Sequence, residues 1–455
     1  MPEFRGTNTT VQDSDKQAFS ADALAAPEPG YWHWVPQAFA ALRHRNYRLY
    51  WLGQIVSLVG TWMQRTAQGW LVTDLVLEVA AKAQVASVTN WYVALVSAMG
   101  TLPVLLIGPF SGVLADYFDK RRVLIITQSL MAMQAFALAI FAYTGHISIG
   151  WLMALALMLG VVWAFDIPAR QGMAIELVGR KDLANAIALN SGVFNTARIV
   201  GPSVTGIILA LHFSVADAFL VNAVSFLAVI GALLLMRGDF SARAGRDGRS
   251  EPYLQRLSAG ISFLLRTRGV RRIVVMVGVL GLLAAPYMPL LPAIARYRLG
   301  AGPAQFGFLA TCVGIGAVTA AVTLASISAR GLQHLTLRIG YALFIGSIIA
   351  LTLTTSLTAA YFILAVCGFG MNWTFANSNT IVQLTVPDEL RGRVMGTYSV
   401  VFIGMFPLGT LMMGWASKNY GVDKALLTGA IIAAIVAIAL FVRYPHGNTT
   451  KQSRP

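Results

Sequence analysis

Apolar stretches of about 20 residues follow one another along most of this chain, and each is long enough as a helix to cross the ~30 Å hydrocarbon core of a bilayer. The 455 residues are 56% hydrophobic and 12% charged, whereas soluble globular proteins carry about 25% charged residues. A water-soluble fold of this length cannot hide so much apolar surface, so lipid is the natural solvent. The pattern predicts an all-α integral membrane protein of about twelve spans. The first six are expected near 49–76, 86–115, 122–144, 149–168, 183–211 and 215–236. The second six are expected near 272–294, 303–328, 335–356, 359–380, 390–417 and 423–443.

The net charge of +15 raises the question of nucleic acid, but the basic residues sit in short loops between apolar segments. No basic domain with interleaved aromatics is present, which excludes a nucleic-acid partner. The charges report topology instead. With the first helix starting inside, roughly 27 basic residues fall on the cytoplasmic side and roughly 5 outside (Lys82, Arg296, Arg298, Lys418 and Lys424). An even number of spans then puts both termini in the cytoplasm, and the expected location is the bacterial inner membrane. The first thirty residues are polar and lack the basic start and apolar run of a secretory signal. Cys312 and Cys367 lie in separate apolar segments, with neither disulfide nor metal-ligand spacing. The chain has no Walker-type Gly-x-x-x-x-Gly-Lys-Ser/Thr, no His-Glu-x-x-His and no Gly-x-Ser-x-Gly, which argues against an ATPase, metalloprotease or lipase. No cofactor or metal is expected.

Residues 1–48 read as a cytoplasmic tail ending in an interfacial segment, where Trp32, Trp34, Phe39 and Tyr47 mix with Arg43, Arg45 and Arg48 at the headgroup level. Two helical halves, 49–236 and 272–443, flank a cytoplasmic linker at 237–271, and 444–455 form a second tail. The linker opens as a flexible Gly/Arg/Ser stretch. It continues with Leu254, Leu257, Ile261, Leu264 and Leu265 at helical spacing, either an amphipathic helix on the inner membrane surface or an extension of the seventh span. Glu176-Leu177 through Asp182-Leu183 lines up with Gln383-Leu384 through Glu389-Leu390 at an offset of 207. Repeated six-helix halves are what a transporter built from two rocking bodies would show.

The segment between the second and third spans reads Gly112-Val113-Leu114-Ala115-Asp116-Tyr117-Phe118-Asp119-Lys120-Arg121-Arg122. Gly four residues before Asp lets a neighbouring helix approach, and the basic turn places Arg121 and Arg122 where an inner gate forms ion pairs. This segment resembles the signature loop of the major facilitator superfamily, with Tyr117 in place of a basic residue and Asp119 in place of a Gly. Arg45-Asn46-Tyr47-Arg48, Gly60-Thr61-Trp62-Met63-Gln64, Asp166-Ile167-Pro168-Ala169-Arg170-Gln171 and Glu176-Leu177-Val178-Gly179-Arg180 narrow the resemblance. They look like the enterobactin-exporter and transmembrane-secretion-effector branch. The resemblance implies the major facilitator fold, two pseudo-symmetric six-helix halves, and proton-driven export by alternating access, with multidrug, macrolide or lysophospholipid transport as alternatives. Gly201-Pro202 with Gly206 resembles the Gly-Pro motif of antiporters in the same superfamily, and Pro202 loosens its helix locally.

A charge deep in a membrane faces a cavity or a partner. Arg65 in the first span and Arg198 in the fifth are such charges, and with Trp62, Gln64, Asn195 and Asn222 they suggest a site for an anionic, partly aromatic solute such as a siderophore. Bracing of the bundle by either arginine is the alternative. Asn372 and Trp373 in the tenth span would line the opposite wall. Asp166 and Arg170 read as an inner gate together with Asp116, Arg121 and Gly112; if protons are coupled, Asp74 or Asp166 is the candidate carrier. The expected partners are a small-molecule substrate and membrane lipids, with the chain acting as a monomer.

Overall fold

The computed structural model describes residues 37–79, 84–115, 118–238, 253–327 and 332–443. The terminal tails, most of the linker and Asp116 lie outside the described residues. The regular elements are helices: α1 (Arg45–Val79), α2 (Val85–Ala115), α3 (Lys120–Tyr143), α4 (Ile149–Gly179), α5 (Lys181–Ala210), α6 (Val215–Leu235) and α7 (Tyr253–Arg266), followed by α8 (Arg268–Leu283), α9 (Tyr287–Ala293), α10 (Pro303–Ile327), α11 (Gln333–Leu353), α12 (Leu357–Thr385), α13 (Asp388–Tyr420) and α14 (Val422–Arg443). Their starts are chemically marked. Asp119 accepts the Arg122 N–H at 3.1 Å to open α3, Ser148 caps α4, and Ser214 with Asp217 forms a capping box on α6.

Among the described residues, eleven segments are long and apolar enough to span a membrane, with α8 and α9 counted as one. The helix that falls short in hydropathy is α1, whose 35 residues reach about 52 Å. Its polar residues explain the shortfall: Gln54, Gln64, Thr66 and Gln68 are all buried, turned into the bundle rather than towards lipid. Packing against α5 and α6 makes α1 the twelfth span.

Two sequence expectations change. The fourth span does not stop near residue 168 but runs helically to Gly179, where a positive φ of 67° turns the chain into α5. Asp166 and Arg170 therefore stand inside a helix rather than at its end, tolerated because each finds a partner there. Tyr47 is fully buried instead of lying at the headgroups, its hydroxyl donating to the Ala186 carbonyl at 2.9 Å. The segment ahead of α1 docks onto the start of α5 through Ala41 N–H to Asn185 (2.9 Å) and His44 to Asp182 (2.8 Å). In the linker, α7 is a separate helix, since Thr267 leaves the helical region (φ −89°, ψ 99°) before α8 begins.

The repeat seen in sequence falls on a repeat in structure. The α4–α5 corner at Gly179 and the α12–α13 corner at Val386-Pro387 are the same 207 residues apart. Helices α1–α6 form one half and α8–α14 the other, and they meet along two seams, α2 on α13 and α5 on α10. The α5–α10 seam is backbone against backbone: a Cβ on Gly307 would stand 2.7 Å from Gly206 Cα and 2.8 Å from the Pro202 carbonyl. Ser203 and Thr311 share a hydrogen bond of 2.8 Å beside it. Further along α5 and α13, towards the Gly179 corner, Gly192 and Gly396 face open space.

Candidate functional site

A cavity of about 200 Å³ lies between the halves. Helices α1, α2, α4 and α5 supply one wall with Trp62, Arg65, Ser97, Trp163, Arg198 and Pro202; α9, α10 and α13 supply the other with Met288, Pro289, Phe306, Val313 and Phe406. The break in the seventh span that brings α9 there follows from Pro286, Pro289 and Pro292, which cannot all be accommodated in a straight helix.

Both membrane arginines line this cavity. Among the described residues neither forms an ion pair with a carboxylate. The Arg65 guanidinium lies over the Trp163 ring at 4.1 Å and the Trp62 ring at 5.4 Å, a cation–π arrangement strengthened by desolvation. Trp62 in turn meets Phe194 edge-on at 5.5 Å. Arg198 donates from Nη2 to Asn195 Oδ1 at 3.1 Å, while its Nε is buried without an acceptor. Asn195 is fixed by its own amide on the Ser191 carbonyl at 2.9 Å. Two cations with donor capacity to spare thus share one wall with aromatic and aliphatic carbon and a few polar groups, Thr66, Gln68, Ser97 and Thr101, a setting that attracts an anion with an apolar or aromatic body.

Other expected site residues lie elsewhere. Gln64 and Asn222 are buried inside the first half, where Asn222 donates to Gln64 at 2.7 Å and Gln64 donates to Gln134 at 3.0 Å. Trp373 is packed between α10 and α12, its indole N–H shared between the Ala320 carbonyl (3.0 Å) and Thr323 (3.1 Å). Asn372, half-buried on α12, is not among the residues lining the cavity. Gly201 acts through packing: a Cβ there would press on the α1 backbone at Met63 N, 2.8 Å away.

The inner-gate residues divide. Asp166 is buried, pairs with Arg170, and accepts from Thr127 and Gln128, each at 2.8 Å. Arg170 also reaches Gln54, so this network ties α1, α3 and α4 together within one half. Arg121 instead donates to the Leu234 carbonyl at 3.0 Å, and Arg122 is exposed beside Asp119 at 3.6 Å. Gly112 lies in the last turn of α2, which runs to Ala115.

Asp74 has a role that the sequence did not suggest. A short π-helical turn, Ile294–Arg298, follows α9 and sends Arg296 across to the first half, where it pairs with Asp74, donates to Thr73 at 2.7 Å and lies 5.0 Å from the Trp70 ring. Trp70 stacks on Phe306 at 5.6 Å, across the halves, and Tyr297 bonds Thr89 at 3.2 Å. Together these tie the two halves at the end of the bundle opposite the Gly179 corner. Since Asp74 and Arg296 are 42% and 23% exposed, their ion pair contributes about 0–1 kcal/mol. We expect Asp74→Asn to change transport less than about fivefold. Asp74→Arg should slow it more, and addition of Arg296→Asp should restore it. A proton-carrying Asp74 would instead show the Asn variant losing gradient-driven flux while keeping exchange.

Trp163, Trp70, Phe306 and the Arg296 contact escaped sequence reading. An aromatic in an apolar run gives no polar signal, and Arg296 counted only as a loop charge.

The fold agrees with comparisons to known proteins. The family model described as transmembrane secretion effector matches residues 36–454. The chain belongs to the transmembrane secretion effector family of the major facilitator superfamily. Among curated members of the superfamily, it is 26% identical to the multidrug efflux pump Tap of Mycolicibacterium fortuitum over 76% of this chain and 86% of that one. It is 25% identical to the staphyloferrin A transporter of Staphylococcus aureus over 77% and 87%. A D-xylose–proton symporter structure superimposes with a TM-score of 0.68 over 90% of this chain and 99% of that one at 14% identity, a likeness of fold alone. This secretion-effector family member is a multi-pass membrane transporter and not an enzyme.

Proposed function

We propose that this transporter is a proton-driven exporter of a small anionic or amphipathic molecule with an aromatic part, a siderophore being the type. The observation that carries the reading is the pair of guanidinium groups, Arg65 and Arg198, on one wall of the cavity between the halves, neither in an ion pair among the described residues. A wet cavity accessible in turn from either face accommodates such charges, and alternate opening of the two ends provides the transport cycle. With the α1–α2 connection outside and both termini in the cytoplasm of a bacterial inner membrane, the Trp70–Phe306 closure faces outwards and the cavity opens inwards, ready to load cargo from the cytoplasm. The 25% identity to a staphyloferrin A transporter supports the siderophore reading.

The aromatic part of both cavity walls, with Trp62, Trp163, Phe306 and Phe406, favours a second reading, multidrug efflux, in keeping with the likeness to Tap. Counterflow into vesicles separates the two. Catecholate and carboxylate siderophores, cationic and neutral drugs and lysolipids would be offered with and without an outward proton gradient, the lumen acidic, so that uptake is exchanged for protons. The siderophore reading expects exchange of the anions, accelerated by the gradient. Movement of cationic drugs with no movement of catecholates or carboxylates would refute it.

A further inference from the structure

The cavity residue still without a task is Trp163. Its ring lies nearer the Arg65 guanidinium than Trp62 does, 4.1 Å against 5.4 Å. Its indole Nε1 is directed to Met131 Sδ at 3.1 Å, so the edge of the ring is anchored on α3 while its face meets the cation. Arg65 forms no ion pair among the described residues. A guanidinium in such surroundings needs either a counter-ion or a polarisable surface. The two solutions differ in what they leave over. A carboxylate takes up the N–H donors two at a time, whereas an aromatic face attracts the cation through its quadrupole and takes none of them. The contrast is visible in the same half: Arg170, with a carboxylate beside it at Asp166, is bound up in a buried network.

We infer that Trp163 is a positioning residue that serves Arg65 in place of a counter-ion, keeping the guanidinium charged and its N–H edge free to receive the oxygens of an anionic cargo. The inference rests on the reading of the cavity as an anion site and adds to it the residue that sets preference for anions over neutral molecules. Loss of the indole face removes what steadies the cation. A carboxylate at the same position would satisfy the guanidinium from within and displace the cargo.

The test uses the full-length transporter in proteoliposomes, with a carboxylate or catecholate siderophore and a neutral drug as the two cargoes. KM and kcat are measured for each in the parent, Trp163→Phe, Trp163→Leu, Trp163→Glu and Arg65→Gln, with the melting temperature of each variant in detergent as the check on folding. Trp163→Leu is expected to raise the KM for the anion about tenfold, well beyond any change in the KM for the neutral cargo, with Trp163→Phe closer to the parent. Trp163→Glu should abolish saturable anion transport while the neutral cargo is still carried, at a raised KM. An unchanged anion KM in Trp163→Leu, alongside a raised one in Arg65→Gln, would overturn the inference and leave the anion site standing. Equal loss of both cargoes in Trp163→Leu and Trp163→Phe would also overturn it, by showing a structural role. An Arg65→Gln variant that behaves like the parent would remove the anion site itself.

Discussion

Replacing Arg65 or Arg198 by Gln is expected to raise the KM for an anionic cargo about 10- to 100-fold, with little change for a neutral one. The magnitude follows from what is lost. Each guanidinium offers charge-assisted hydrogen bonds worth about 1.5–3 kcal/mol, and neither has an ion-pair partner among the described residues to share them with. Gln keeps a donor but is shorter by about two atoms and carries no charge. The double variant should fall short of the sum of the two single effects, because both groups address one ligand. Vesicle uptake with a siderophore and a neutral drug side by side reads the difference. Equal KM values for parent and variants would end the proposal of an anion site.

The second large effect is expected at the α5–α10 seam. Leu in place of Gly307 puts a side chain where Gly206 Cα and the Pro202 carbonyl stand 2.7 and 2.8 Å from the Cβ position. Neither is a side chain that can swing aside. Overpacking of this kind costs about 1–3 kcal/mol, and here the cost falls only on the state with the seam closed. The population of that state should drop about tenfold or more, and the transport rate with it. The hydroxyls of Ser203 and Thr311, 2.8 Å apart, mark a place for a cysteine pair. Disulfide formation between Ser203→Cys and Thr311→Cys, in a background lacking Cys312 and Cys367, should be fast in the parent and slow with Gly307→Leu. Crosslinking and uptake at parental rates would show that the two helices do not come this close in the working protein.

The arrangement of spans was legible because lipid demands a long apolar segment for each crossing. Even α1, polar enough to fall short in hydropathy, was found by its place in the series. Arg65 and Arg198 were legible for the same reason, each a charge in an otherwise apolar run. What fails is direction around a helix. Gln64 is one residue from Arg65, about 100° away on the helix, and that rotation carries it from the cavity into the interior of the first half. Asn222 follows it there. The length of the fourth span is not legible because Asp166 and Arg170 interrupt its apolar run; only the fold shows that Gln54, Thr127 and Gln128 arrive to satisfy them. Asp74 was weighed as a proton carrier because acids in the spans are scarce, and its partner lies 222 residues away, beyond any local pattern.

The π-helical turn after α9 carries two arginines with opposite allegiances. Arg298 is tied to its own half by Asp423 and the carbonyls of Thr352 and Thr354, while Arg296 reaches the other half. Because the turn is stapled on one side, it travels as cargo of its own half, and parting the two bodies there exchanges one water-edged ionic contact for hydration. The buried Trp70–Phe306 stack, not that contact, carries most of the closure. Dissolved salt screens charges at a rim but leaves packed rings alone, so the shutting of this face should feel the same in dilute and in saline surroundings.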